Sequence, residues 1–196
     1  MPPPTKIEKR KQIIVEGRDA QEFVRALLKY MGVTNIQVQD FGGVDELRGF
    51  LKALCNMPGF FEVSSLGIVR DAETNAKSAF QSVCSALNDA KLTVPQKPLL
   101  PAGKHPQVAI LILPDSKTPG MLETLCMQSV ADDPVIECIT RFFECINKRA
   151  ESFPQNMPKA QVQAFLASRP KPGLLLGQVA HAGFWPWDSP AFTRAC

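Results

Sequence analysis

Between residues 13 and 87, apolar β-formers and helical repeats alternate three times, and this alternation restricts the fold more than any other feature of the chain. Ile13–Val15 is a short continuous apolar run, and Phe23, Val24, Leu27, Leu28, Tyr30 and Met31 then recur at helical spacing until Gly32. Ile36 and Val38 alternate with glutamines as a half-buried strand that ends in Asp40-Phe41-Gly42-Gly43. Val44, Leu47, Leu51 and Leu54 mark one face of a second helix that stops near Pro58-Gly59. The spacing predicts a third strand over Val63–Val69 and a third helix through Ala76, Phe80, Val83, Cys84 and Leu87, with Thr74 or Asn75 as its N-cap. Strands joined by helices run parallel, and such a sheet needs cover on both faces. The expected class is therefore α/β, a mainly parallel sheet with helices on both faces.

The rest of the chain predicts one more strand and then helices. Val108–Leu113 is the fourth strand, and the turn from Pro114 to Gly120 leads into a short helix opened by Met121-Leu122-Glu123. Pro134 suits a first helical residue. Val135, Ile136, Ile139, Phe142, Phe143 and Ile146 give that helix a wide apolar stripe. A last helix is predicted from Lys159 to about Ser168, and Gly183–Asp188 reads as an irregular aromatic tail. Residues 1–115 are thus expected to form the α/β core, with 116–196 a helical extension packed on the same domain.

Composition excludes several classes. A chain of 196 residues with 45% hydrophobic and 21% charged residues can support a globular core. A net charge of +3 permits a nucleic-acid partner without demanding one, since the only basic run is Lys6–Lys11. That run leads into a strand and not an apolar leader, so no signal peptide is expected, and no apolar stretch is long enough to span a bilayer. The expected location is cytoplasmic. The six cysteines lack Cys-x-x-Cys spacing and lie far from His105 and His181, so zinc is not expected. Small buried thiols on helix faces are, with Cys138 and Cys145 sharing one face.

The chemistry lies at the strand ends. Glu16 follows the first strand, at the carboxyl edge where open α/β sheets bind ligands, and the third strand region ends in Arg70-Asp71-Ala72-Glu73. Glu16, Asp71 and Glu73 would meet at one edge without an obvious cationic partner, and a divalent cation relieves such repulsion. Residues i and i+2 of an extended segment share a side, so Asp71 and Glu73 can reach one ion if that stretch stays extended. The alternative is that Asp71 or Glu73 caps the third helix. Phosphate-guiding cations near this edge are Arg18 and Arg70, with Lys117 and Lys159 on later loops.

Ile-Ile-Val-Glu-Gly, the glycine turn at Phe41-Gly42-Gly43 and the acidic Asp71-x-Glu73 resemble the Toprim domain, over roughly residues 11–115. That domain is shared by topoisomerases, primases and the nucleases of the overcoming-lysogenization-defect group. The resemblance is closest to small stand-alone Toprim-like proteins related to those nucleases. It implies Mg²⁺ or Mn²⁺, one or two ions, held by Glu16, Asp71 and Glu73, and cleavage of phosphodiester bonds. The nuclease branch further implies ligand roles for Asp19 and for Glu123, and a catalytic role for Lys159 beside Glu16. An ordinary helix-start glutamate and a solvated lysine are the plain readings of the last two.

DNA or RNA is the expected partner, a separate ATPase chain is an expected kind of protein partner, and self-association is compatible with both. No Walker loop or Gly-x-Ser-x-Gly elbow exists. Tyr30, the only tyrosine, falls in a predicted core helix, which argues against a topoisomerase. Trp185 and Trp187 could stack bases, although such a pair more often packs onto its own domain or a partner subunit. The rival to an enzyme is a non-catalytic Toprim-like binding module for nucleic acid or a partner protein.

Overall fold

The computed structural model describes residues 2–195. Strands β1 (Lys11–Val15), β2 (Ile36–Asp40), β3 (Ser65–Asp71) and β4 (Gln107–Leu113) form one sheet in the order β2-β1-β3-β4, with every neighbouring pair parallel. Side chains alternate across this sheet and load two apolar layers. On one face Val15 and Val69 pack with α1 (Arg18–Tyr30), α4 (Leu122–Ser129), α5 (Val135–Arg149), α6 (Met157–Ala167), α7 (Leu176–His181) and α8 (Pro190–Ala195). On the other, Ile14, Ile68, Ile110 and Ile112 pack with α2 (Leu47–Cys55) and α3 (Ala76–Asp89). The helix after β1 covers one face and leads outward to β2, whereas the helix after β3 covers the other and leads to β4. The carboxyl ends of β1 and β3 are therefore the point where the crossovers diverge, and such a point leaves a crevice open for ligands.

Local differences from the expected elements have physical causes. Val44–Glu46 and Phe60–Glu62 are 3₁₀ turns. The second precedes β3, which runs from Ser65 to Asp71 where Val63–Val69 was expected, so Asp71 is its last residue. Pro134 is the N-cap of α5 and not its first helical residue. The α5 stripe is only partly used: Ile139 and Phe143 are buried, but Phe142 is 52% exposed, and Cys138 and Cys145 face outward. Cys126 is buried and Cys55 and Cys84 are half-buried, while Cys196 lies outside the described residues.

Tyr30 is exposed, not core, and lies beside Trp187. Gly183–Asp188 is irregular, as expected. It is flanked by α7 and α8, two helices that the sequence pattern did not mark because each has 6 residues, too few to show a helical period. Its tryptophans are consumed by packing: Trp185 is buried and stacks on Phe165, and Trp187 meets Phe23 and Phe192. No helix among the described residues is long and apolar enough to cross a membrane.

One contact ties the C-terminal layer together. Arg169 donates from Nη1 and Nη2 to the two oxygens of Asp133, at 3.0 and 3.3 Å, and its guanidinium lies 4.1 Å from the Phe165 ring centre. Lysine can reproduce neither the fork nor the stacking. Arg169→Lys is expected to cost about 1 kcal/mol in urea denaturation, within the range for one partly exposed bidentate pair plus a cation–π contact. An unchanged midpoint would show that the contact contributes nothing.

Candidate functional site

Register places the site. Val15 pairs with Val69, so Glu16 and Arg70 follow as neighbours at the carboxyl edge, where the Glu16 N–H donates to the Val69 carbonyl at 3.2 Å. Gly17 has φ 86°, which turns the chain from β1 into α1 and which a residue with a side chain adopts only under strain. Its N–H donates to Asp40 Oδ1 at 2.9 Å, and the same oxygen accepts from Gly42 N–H at 2.7 Å. Asp40 thus pins the turns after β1 and β2 together. Sequence reasoning did not single it out; the available signal was an acidic strand end followed by Gly-Gly.

The carboxylates do have a cationic neighbour. Arg70 is buried, and its Nε lies 3.7 Å from Glu16 Oε2. Its Nη1 donates to the Ala79 carbonyl at 3.3 Å. This corrects two expectations: the cluster is partly compensated, and Arg70 is not a surface cation for substrate. The cause is strand alternation, which turns Arg70 inward beside Glu16. At 3.7 Å the pair is too long for a hydrogen bond, and both Glu16 Oε2 and Arg70 Nε are buried without one. Burial raises the Glu16 carboxyl above its ordinary range, against the pull of Arg70.

Asp71 is perturbed more strongly. Burial, then the charges of Glu16 and Glu123, push its pKa up to about 7, while the Leu122 N–H and Lys159 pull it down. Leu122 N–H donates to Asp71 Oδ1 at 3.0 Å, so one carboxylate oxygen serves the first turn of α4. The third helix is capped by Asn75, which accepts from Ser78 N–H at 2.8 Å, and not by Asp71 or Glu73. Glu73 has φ 51° and exchanges backbone hydrogen bonds with Gly120, both at 2.8 Å. The chain leaves the extended region there, so the i, i+2 argument does not apply. Glu73 is exposed, and its charge still adds to the rise at Glu16.

A cleft of about 620 Å³ opens here, lined by Glu16, Arg18, Asp19, Asp71, Glu123 and Lys159 among others. It therefore gathers Glu16, Asp19, Asp71, Glu123 and Lys159 and leaves Glu73 outside. Asp19 Oδ1 accepts from Gly177 N–H at 3.2 Å, which fixes α7 against the start of α1. Lys159, in the first turn of α6, lowers the pKa of both Glu16 and Asp71. Beneath the cleft, burial and the charges of Glu123, Asp71 and Asp19 drive the Cys126 thiol upward. Lys117 sits exposed in a turn whose amides donate to Asp115, and it does not line the cleft.

The donor set fits a hard divalent cation in kind. It consists of carboxylates, with one buried Glu16 oxygen lacking any hydrogen bond. It is not pre-assembled: among the described residues no three His, Cys, Asp or Glu side chains already converge to hold a metal ion. An ion would have to draw the carboxylates together against the existing Arg70 and Leu122 contacts.

A family model described as "Protein of unknown function (DUF3226)" matches residues 10–195. No curated protein matches the chain. Among solved structures, the C-terminal region of the OLD protein of Xanthomonas campestris pv. campestris is similar, with a TM-score of 0.51 and 15% identity over 96% of this chain and 93% of that one. At that identity the likeness is one of fold, a Toprim-like α/β sheet with a helical C-terminal part.

Proposed function

The chain belongs to the DUF3226 family, and from that premise we propose that it is a metal-dependent Toprim-like nuclease that cleaves phosphodiester bonds of nucleic acid. One observation carries the reading. Glu16, Asp71 and Glu123 share a cleft at the point where the crossovers diverge, and burial, then the charges of Glu16 and Glu123, push the Asp71 pKa to about 7. A carboxyl perturbed by burial and by neighbouring charges inside a cleft is a functional-site candidate. The fold likeness to the OLD C-terminal region supports the same reading.

Glu16, Asp71 and Glu123, with Asp19 beside them, are the residues that would hold Mg²⁺ or Mn²⁺. When bound, the ion neutralises phosphate charge and lowers the pKa of a water nucleophile. The chain's own cations do the rest. Lys159 and Arg18 flank the carboxylates and meet the phosphate oxygens, where fixed positive charge stabilises the charge that builds during displacement. Free N–H groups at the start of α1 favour the same anion. Lys159 is the proposed catalytic cation, and Arg18 a binding one.

A second reading, a non-catalytic binding module, is favoured by the Arg70–Glu16 contact and by carboxylates that are not pre-assembled. Plasmid nicking separates the two. Wild type is expected to nick plasmid DNA or cleave RNA with millimolar Mn²⁺ or Mg²⁺, and Glu16→Gln to lose about 10²-fold or more of that rate. Activity retained by Glu16→Gln would remove the nuclease assignment from this site, and inactivity of wild type would favour the module.

A further inference from the structure

A second cavity of about 410 Å³ adjoins the carboxylate cleft and shares Asp19, Glu123, Lys159 and Leu175 with it. Its other walls differ in character. Val162 and Leu166 come from α6, and Leu174–Leu176 from the segment that enters α7. Leu175 is 59% exposed at the border of both cavities, a large apolar side chain that the fold leaves uncovered. Gln163, an exposed side chain on the same helix, also lines the cavity, and its amide makes no hydrogen bond to another described residue. Apolar walls with a few free polar groups are the usual make-up of a small-molecule site, and this volume falls in the usual range.

From this juxtaposition we infer that the cavity is a nucleoside subsite, which takes the base next to the phosphate held at the carboxylates. This rests on the nuclease reading for the position of the phosphate, and on the cavity alone for the base. Lys159 and Asp19 lie on the shared border, so a ligand crossing it has its charged part beside the carboxylates and lysine. The inner part meets leucine and valine side chains, which suit a flat, weakly hydrated ring and repel a phosphate. Gln163 offers one acceptor and one donor group, the pattern that an amide uses for a base edge, with adenine its best partner. On this inference the substrate end is a nucleotide splayed out of its stack. The preferred substrate is single-stranded or frayed.

The test uses adenosine, which carries no phosphate and needs no metal. Wild type is expected to bind adenosine in calorimetry or ligand-observed NMR without divalent ions. Gln163→Ala should weaken it about tenfold, the loss of one two-pronged amide contact. Ala167→Trp places a large ring into the cavity from an exposed helix position and should abolish binding with an unchanged melting temperature. Glu16→Gln should bind adenosine as wild type does, so failure of the nuclease reading and failure of the subsite are read separately. No adenosine binding to wild type, or equal binding by Ala167→Trp, would overturn the inference.

Discussion

Arg70→Met should destabilise the protein by about 3 kcal/mol in urea denaturation at neutral pH, the low end for breaking a buried ion pair. Arg70 and Glu16 are 8% and 15% exposed as side chains, so neither is well served by water. Removing the guanidinium leaves the Glu16 carboxyl with burial and the charges of Asp71 and Glu73 around it. Its pKa, already raised, rises further, and uptake of a proton caps the loss. Arg70→Met combined with Glu16→Gln removes both charges, and most of the stability should return. A double variant no more stable than the single one would show that Arg70 acts through its bond to the Ala79 carbonyl and not through Glu16.

The second large effect concerns Asp71 and pH. Its ordinary value is 3.8 and its folded value about 7, so the folded state binds the proton more tightly than the unfolded state. The sign follows from linkage. The contribution to stability is fully present below about pH 4 and is lost as pH rises through about 7. At about 1.4 kcal/mol per pH unit, the whole effect is at most about 4 kcal/mol. The substitution Asp71→Asn keeps an acceptor for Leu122 N–H but carries no charge, so this variant should exceed wild type in stability at pH 8. The gap should close as pH is lowered to about 4. Asp115 and Asp133, whose pKa values are lowered, bias both proteins equally and cancel in the difference. A gap that is constant with pH would contradict the buried-charge account.

Much of this was legible in the sequence. Continuous or alternating apolar runs marked four strands and their helical crossovers, because burial on both sheet faces leaves a strong pattern. Glu16 and Asp71 were legible because strand ends face the ligand edge whatever the details. The rest depended on contacts that spacing does not carry. Arg70 reads as a surface cation until register sets it beside Glu16. Glu73 reads as the partner of Asp71 until a left-handed residue turns the chain away. Lys159 and Glu123 lie far from Glu16 in sequence and reach it only through the packing of α4 and α6 on one face. The helices α7 and α8 are too short to announce themselves, yet they bury the tail's tryptophans and supply Gly177 to Asp19.

The central claim is that Glu16, Asp71 and Glu123 act as one divalent-cation site, and calorimetric titration of Mn²⁺ tests it most directly. Wild type should bind the ion and gain melting temperature with its concentration, because a ligand of the folded state alone stabilises by mass action. Glu16→Gln and Asp71→Asn should each lose most of both responses, with Asp71→Asn starting from the higher metal-free melting temperature. A silent titration of wild type, or equal Mn²⁺ responses in all three proteins, would contradict the claim.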